Sequence, residues 1–378
     1  MIRLASIALL CAFQFLIAAT PAAAAERWTA AKANAWYDKQ PWLVGSNYNP
    51  ATAINELEMW QAETFDPATI DRELGWAESI GMNTMRVFLH NLPWEQDGAG
   101  FKKRIDQFLE IAAKHRIKPL FVLFDSCWDP EPKSGPQHPP IPGVHNSGWV
   151  QAPGRARLED ESQYPKLRGY VEDIVGSFAK DERVLGWDVW NEPDNDGGGN
   201  YPKHKDKQKF VEKLLPQVFA WARSKSPTQP LTSGVWHNDD WSYEKLSAIE
   251  KIQMDESDVI SFHDYGWPES FDRRAKMLQK YGRPLLCTEF MARGNGSTFD
   301  GSLPLGKKYN IAMMNWGFVD GRTQTRLPWD SWKKPYTSDE PTIWFHEVFR
   351  ADGSPYRRAE TDLIKRLSSA PKGVVPQP

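Results

Sequence analysis

Eight short runs rich in Val, Ile, Leu and Phe recur along the chain, at residues 43–47, 84–89, 120–124, 185–189, 231–235, 259–262, 285–288 and 312–316. They carry few charges, as expected of parallel strands buried on both faces. Helical periodicity fills the gaps. Phe101, Ile105, Phe108 and Ala112 fall on one helix face, as do Ile70, Leu74 and Ala77, and Tyr170, Ile174 and Phe178. Asp66-Pro67 reads as an N-cap followed by proline at the first helical position. A strand–helix unit repeated eight times predicts an α/β chain closed into a single-domain (β/α)8 TIM barrel. A doubly wound open sheet is the competing arrangement. With 378 residues, 40% of them hydrophobic, the chain can fill such a barrel, and general disorder and a multi-span membrane protein are excluded.

The N-terminus reads differently from the rest. Arg3 precedes an apolar stretch over residues 4–18, and Ala23-Ala24-Ala25 before Glu26 fits a signal-cleavage site. This predicts a secretory signal peptide over residues 1–25, a catalytic domain over 26–368 and a flexible tail over 369–378. The expected location is exported, periplasmic or extracellular, with no membrane insertion once the signal is gone. An uncleaved anchor is the alternative. The net charge of −3 supplies no basic field for nucleic acid. Beyond the signal only Cys127 and Cys287 remain, and both read as buried small hydrophobes. A Pro- and Gly-rich insertion over residues 129–153 follows the third strand, which on a barrel places it over the active-site face.

Two carboxylates stand out. Trp187-Asp188-Val189-Trp190-Asn191-Glu192-Pro193 runs a buried strand straight into Asn-Glu-Pro, so Glu192 tops strand four. Glu289 closes strand seven in Leu285-Leu286-Cys287-Thr288-Glu289. Barrel chemistry sits at those strand ends. Cleaving a glycosidic bond with retention needs one carboxylic acid to protonate the leaving oxygen and a second carboxylate to attack the anomeric carbon, about 5–5.5 Å apart. The bland alternative for each Glu is a strand-end residue paired with a nearby Arg. Enrichment to 18 Trp fits a surface that stacks sugars, though Trp in a large core is an equal reading of that number.

On these motifs the chain resembles the retaining glycoside hydrolases of clan A, most closely the family 5 cellulase-type group, from Trp42 to about Trp344. The resemblance implies Glu192 as acid/base, Glu289 as nucleophile and Asn191 as a partner of the sugar 2-hydroxyl. It implies that Arg86 on strand two holds the nucleophile ionised. It also implies that His263 and Tyr265 bond the reacting sugar and Glu289, and that Trp316 floors the sugar site. Further candidates at strand ends for binding hydroxyls are Asn47, His90, Asp125, Trp128, Trp236 and His237, with Trp329 and Trp332 as a second platform or a cap. No nucleotide-binding, hydrolase-elbow or metal-ligand motif appears, so no cofactor or metal is expected.

The reading is a retaining β-glycosidase that hydrolyses a β-linked glycan of xylan, glucan or mannan type, its partner being a carbohydrate. A catalytically silent glycan-binding barrel and a transglycosylase using the same residues are the alternatives. Endo or exo action and oligomeric state stay open at this level.

Overall fold

The computed structural model describes residues 26–376; the segment read as a signal peptide lies outside the described residues. The eight strands are β1 (Val44–Asn47), β2 (Thr84–Phe88), β3 (Lys118–Val122), β4 (Gly186–Asp188), β5 (Leu231–Thr232), β6 (Ile260–Asp264), β7 (Leu285–Phe290) and β8 (Ala312–Asn315). All pair in parallel, in the order β5-β4-β3-β2-β1-β8-β7-β6. The β5 pairing stops three residues earlier than the sequence suggests. Val235 resumes it by bridging to Phe262, with Val235 N–H donating to Ser261 O and His263 N–H to Val235 O, and this closes the ring. A (β/α)8 barrel results, not an open sheet.

One long helix follows each strand: Pro67–Ser79, Asn91–Lys114, Tyr164–Phe178, Lys207–Ser224, Ala248–Glu256, Pro268–Gln279, Phe299–Lys308 and Arg358–Ser369. Asp66 caps the first of them by accepting from Thr69 N–H, with Pro67 at the first position. The apolar faces read from the sequence are the buried ones. Ile70, Leu74, Phe101, Ile105, Phe108, Ala112, Tyr170 and Ile174 are all fully covered in the layer between strands and helices.

Strand alternation then decides what fills the barrel. In β2, Met85 and Val87 point out into that layer while Arg86 points in. In β4, Trp187 points out and Asp188 in. The lower interior is apolar: Leu43, Leu120, Leu185, Val259, Leu286 and Met314 meet Trp28 and Tyr37 of the N-terminal helix region, which plugs that end. Above this plug the interior turns polar, with Arg86, Asp188 and Glu289 meeting towards the end where the strands finish. Among the described residues no helix is long and apolar enough to cross a membrane.

The final helix is tied to the barrel by a buried ion pair. Arg293, after β7, donates to Glu360 Oε2 at 2.6 Å and to the carbonyls of Trp344, His346 and Glu347. Replacing it, as Arg293→Met, strips donors from three carbonyls and leaves Glu360 only the exposed Arg357, 3.8 Å away, as a cation. The expected loss is about 3–5 kcal/mol; urea unfolding showing less than about 1 kcal/mol would remove this contact from the account of stability.

Candidate active site

Arg86 organises the polar end of the barrel. Its Nε and Nη2 donate to Asp188 Oδ2 (3.0 and 2.8 Å), Nη1 to Glu289 Oε1 (2.7 Å) and Asn47 Oδ1 (2.9 Å), and Nη2 also to Asn191 Oδ1 (2.7 Å). The side chain is fully buried. Burial alone would oppose its charge; Asp188 and Glu289 more than offset that and raise its pKa.

Glu192 and Glu289 face each other beyond this guanidinium. One oxygen of each and His263 Nδ1 lie within 4.8 Å of one another. Tyr265 Oη donates to Glu289 Oε2 at 2.8 Å. Glu192 Oε1 pairs with His263 Nδ1 at 2.8 Å, and Glu192 Oε2 accepts from Asn195 Nδ2 at 2.7 Å and Cys127 Sγ at 3.3 Å. Burial lowers the His263 pKa to about 4, so the ring is neutral at pH 7.

Burial raises the pKa of both carboxyl groups above the usual carboxylate range, and at Glu289 the charge of Glu192 adds to that while His263, Arg86 and Tyr265 oppose it. Two like charges this close disfavour ionisation of both groups. A guanidinium bonds Glu289 directly, whereas Glu192 is held by an amide, a thiol and a neutral imidazole. The charge-assisted bond favours the anion on Glu289 and the proton on Glu192. The same three side chains could offer donors to a cation, but all four carboxylate oxygens already have protein partners, and a fixed positive charge stands 2.7 Å from Glu289.

The backbone is strained here. Glu192 has φ +43° and Trp128 φ +67°, both in the left-handed region that side chains avoid. In Asn-Glu-Pro this turn lifts Glu192 out of the strand direction towards Glu289.

Seven of the sequence candidates line one cavity of ≈ 230 Å³: Glu192, Glu289, Asn191, Tyr265, Trp128, Trp236 and Trp316. Trp329 lines it too. His263 sits at its base, bonded to Glu192 as described. His237 is exposed and stacks on Trp236 at 5.0 Å. Trp332 stacks on Trp128 at 5.3 Å, behind the lining.

Three substrate-binding expectations are corrected. His90 is fully buried and caps the helix after β2: Leu92 N–H donates to its Nδ1, and its Nε2 pairs with Gln151 O. Asp125 is 2% exposed and spends its oxygens on Asn191 Nδ2, Cys127 N–H and Trp149 Nε1. Asn47 holds Arg86 with its oxygen and donates to the carbonyls of Thr288 and Asn315. Each supports a neighbour, and none of the three lines this cavity.

Four contributors were not read from the sequence: Asp188, Cys127, Asn195 and His145. Asp188 had a signal, being the charged residue of β4 as Arg86 is of β2. Cys127 is half-buried and lines the cavity beside Glu192, so the reading as an inert core thiol is corrected. Burial keeps its pKa well above the usual thiol value. Asn195 and His145 sit on loops whose course no local pattern gave.

No protein-family model matches the sequence, and no curated protein matches it. Solved structures do match its fold. An endo-1,4-β-mannanase from Rhizomucor miehei aligns over 87% of this chain and 94% of its own, with TM-score 0.56 and 13% identity. An exo-β-1,4-mannosidase from Opitutaceae bacterium strain TAV5 aligns over 86% of this chain and 59% of its own, with TM-score 0.57 and 18% identity. An endo-β-1,4-mannanase from Thermotoga petrophila aligns over 88% and 77%, with TM-score 0.55 and 12% identity. At such identities the likeness is one of fold: the chain has the barrel architecture of these glycoside hydrolases.

The raised pKa of Glu192 sets an expected pH dependence of stability. A carboxyl group whose pKa is higher folded than unfolded favours the folded state when protonated, and that advantage is lost as pH rises from the unfolded value through the folded one. Glu192→Gln does not titrate. Its melting temperature relative to the parent is expected to rise between pH 4 and pH 8; a difference that falls over that range contradicts the assignment.

Proposed function

We propose that the protein is a retaining β-glycosidase acting on a β-linked glycan. The observation that carries this is the pair Glu192–Glu289, within 4.8 Å at the catalytic end of the barrel, with Arg86 and Tyr265 bonded to Glu289 alone. Such a close approach supports double displacement, in which the carboxyl groups stand ~5–5.5 Å apart, over inversion, in which they stand ~6.5–9.5 Å apart around a water.

In the proposed reaction a sugar ring stacks on Trp316. Glu289 attacks its anomeric carbon while Glu192 gives its proton to the departing oxygen. Asn191, oriented by Arg86 and Asp125, exchanges its long contact to Cys127 Sγ at 3.5 Å for the 2-hydroxyl. Once Glu289 is esterified its charge is gone, the Glu192 pKa falls, and Glu192 takes a proton from the water that releases the sugar. Asn195 and Cys127 stabilise Glu192 as an anion in that second half. Carbohydrate as partner, export from the cytoplasm and hydrolysis over transfer are parts of the same proposal. The names of the fold neighbours put β-mannosides first among the xylan, glucan and mannan types.

Chromogenic aryl β-glycosides of mannose, glucose and xylose test the reading. Glu192→Ala is expected to lose about 10²–10⁴-fold in kcat/KM, and azide is expected to restore turnover by forming the β-glycosyl azide in the space the acid vacates. Glu289→Ala rescued by azide should instead give the α-glycosyl azide. The same anomer from both variants, or wild-type rates in either, contradicts the assignment. A silent binder would show no turnover in the parent protein.

A further inference from the structure

Resting on the glycosidase reading above, we infer that the enzyme acts from the non-reducing end, removing one sugar at a time, because the cavity is blind on the side of the sugar it retains.

Glu192 sets the direction. It must reach the glycosidic oxygen, so the leaving portion lies on the β4 side. The retained ring lies the other way, over Trp316 at the end of β8, four places round the sheet from β4. An endo-acting site needs room past that ring for a second one. Four rings form an unbroken arc that runs from Trp128 after β3 to Tyr265 after β6, with His145 and His346 between them against the loop after β8: Trp128 to His145 at 5.7 Å, His145 to His346 at 5.4 Å, and His346 to Tyr265 at 5.8 Å. His346 stands directly beside the floor, since a side chain at Gly317 would meet its Cβ at 2.7 Å. His145 and His346 are 1% and 0% exposed. A second tier backs the arc, with Trp332 stacked on Trp128 and Trp329 edge-on to Tyr265 at 5.2 Å.

The wall is also pinned. His145 comes from the Pro-rich insertion over residues 129–153, whose ends are drawn together by Asp129 N–H to Trp149 O and Gln151 N–H to Asp129 O. The insertion docks on the loop after β8: His145 N–H donates to Ser331 Oγ, its Nδ1 pairs with Leu327 O, and Asn146 N–H donates to Thr323 O. A separate void lined by Trp316, Trp149, Asn47 and Phe318 measures ≈ 20 Å³, room for about one water. After β5, Trp236 lines the same cavity, half-exposed and held by Asp194 Oδ1.

The test compares two substrates of the sugar accepted in the aryl-glycoside screen: its 4-nitrophenyl β-glycoside and the 4-nitrophenyl β-1,4-linked bioside. The monoside is expected to release nitrophenol without a lag. The bioside should release it only after a lag, at an initial rate lower by roughly tenfold or more, with free monosaccharide appearing first. Direct release of an intact disaccharide from the bioside overturns the inference and leaves the glycosidase reading standing. Hydrolysis of neither substrate overturns both.

Discussion

One buried guanidinium governs this site. Arg86 is taken wholly out of water in a barrel strand, a costly position that is held because two carboxylates and two amide oxygens surround it. Each partner comes from a different part of the ring: Asn47 from β1, Asp188 from β4, Asn191 from just past β4 and Glu289 from β7. The charge network therefore ties the barrel together across its interior and fixes Glu289 in place. Asp188 is what allows this. Without a second carboxylate, Arg86 would be left to Glu289 alone; with it, the guanidinium holds a carboxylate of β4 and one of β7 at once. Glu192 stands one step outside the network, held by Asn195, Cys127 and His263 and not by the guanidinium.

The barrel was legible in the sequence because its two periods are strong. Apolar runs such as 120–124 and helix faces such as Phe101-Ile105-Phe108 have the spacing of buried elements and no competing pattern. The reach of β5 was less so, because Val235 pairs only after a break. Within the site, Glu192 and Glu289 were readable since strand position fixes where a residue at a barrel strand's end can point, while Arg86 and Tyr265 came in through the family resemblance. His90, Asp125 and Asn47 share that position, and sequence does not say whether a polar end is spent on a neighbour. Here each one is: a helix cap, an Asn–Trp clamp and an Arg clamp. Cys127 was misread because an isolated thiol in an apolar run has no signature for facing a carboxylate.

What the sequence left most open was the shape of the mouth, and the long loops decide it. Residues 129–153 form no helix, yet hydrogen bonds to the loop after β8 order them against it. Together the two loops bring His145, His346, Trp329 and Trp332 over one side of the cavity. Trp enrichment thus divides between roles. Trp60, Trp187 and Trp241 are core, Trp316 and Trp236 face the cavity, and Trp332 braces its wall. The barrel supplies the chemistry at strand ends, and loops spanning from β3 to β8 supply the limits on what can reach it.

The central claim is that Glu289 forms the covalent bond to the sugar. Incubation with a 2-deoxy-2-fluoro glycosyl fluoride of the accepted sugar, followed by proteolysis and mass spectrometry, tests it directly. The account predicts one fluoroglycosyl group per chain, on the peptide carrying Glu289 and at that residue. Label at Glu192, or rapid turnover of the parent enzyme with the reagent binding but no covalent adduct on Glu289, would contradict it.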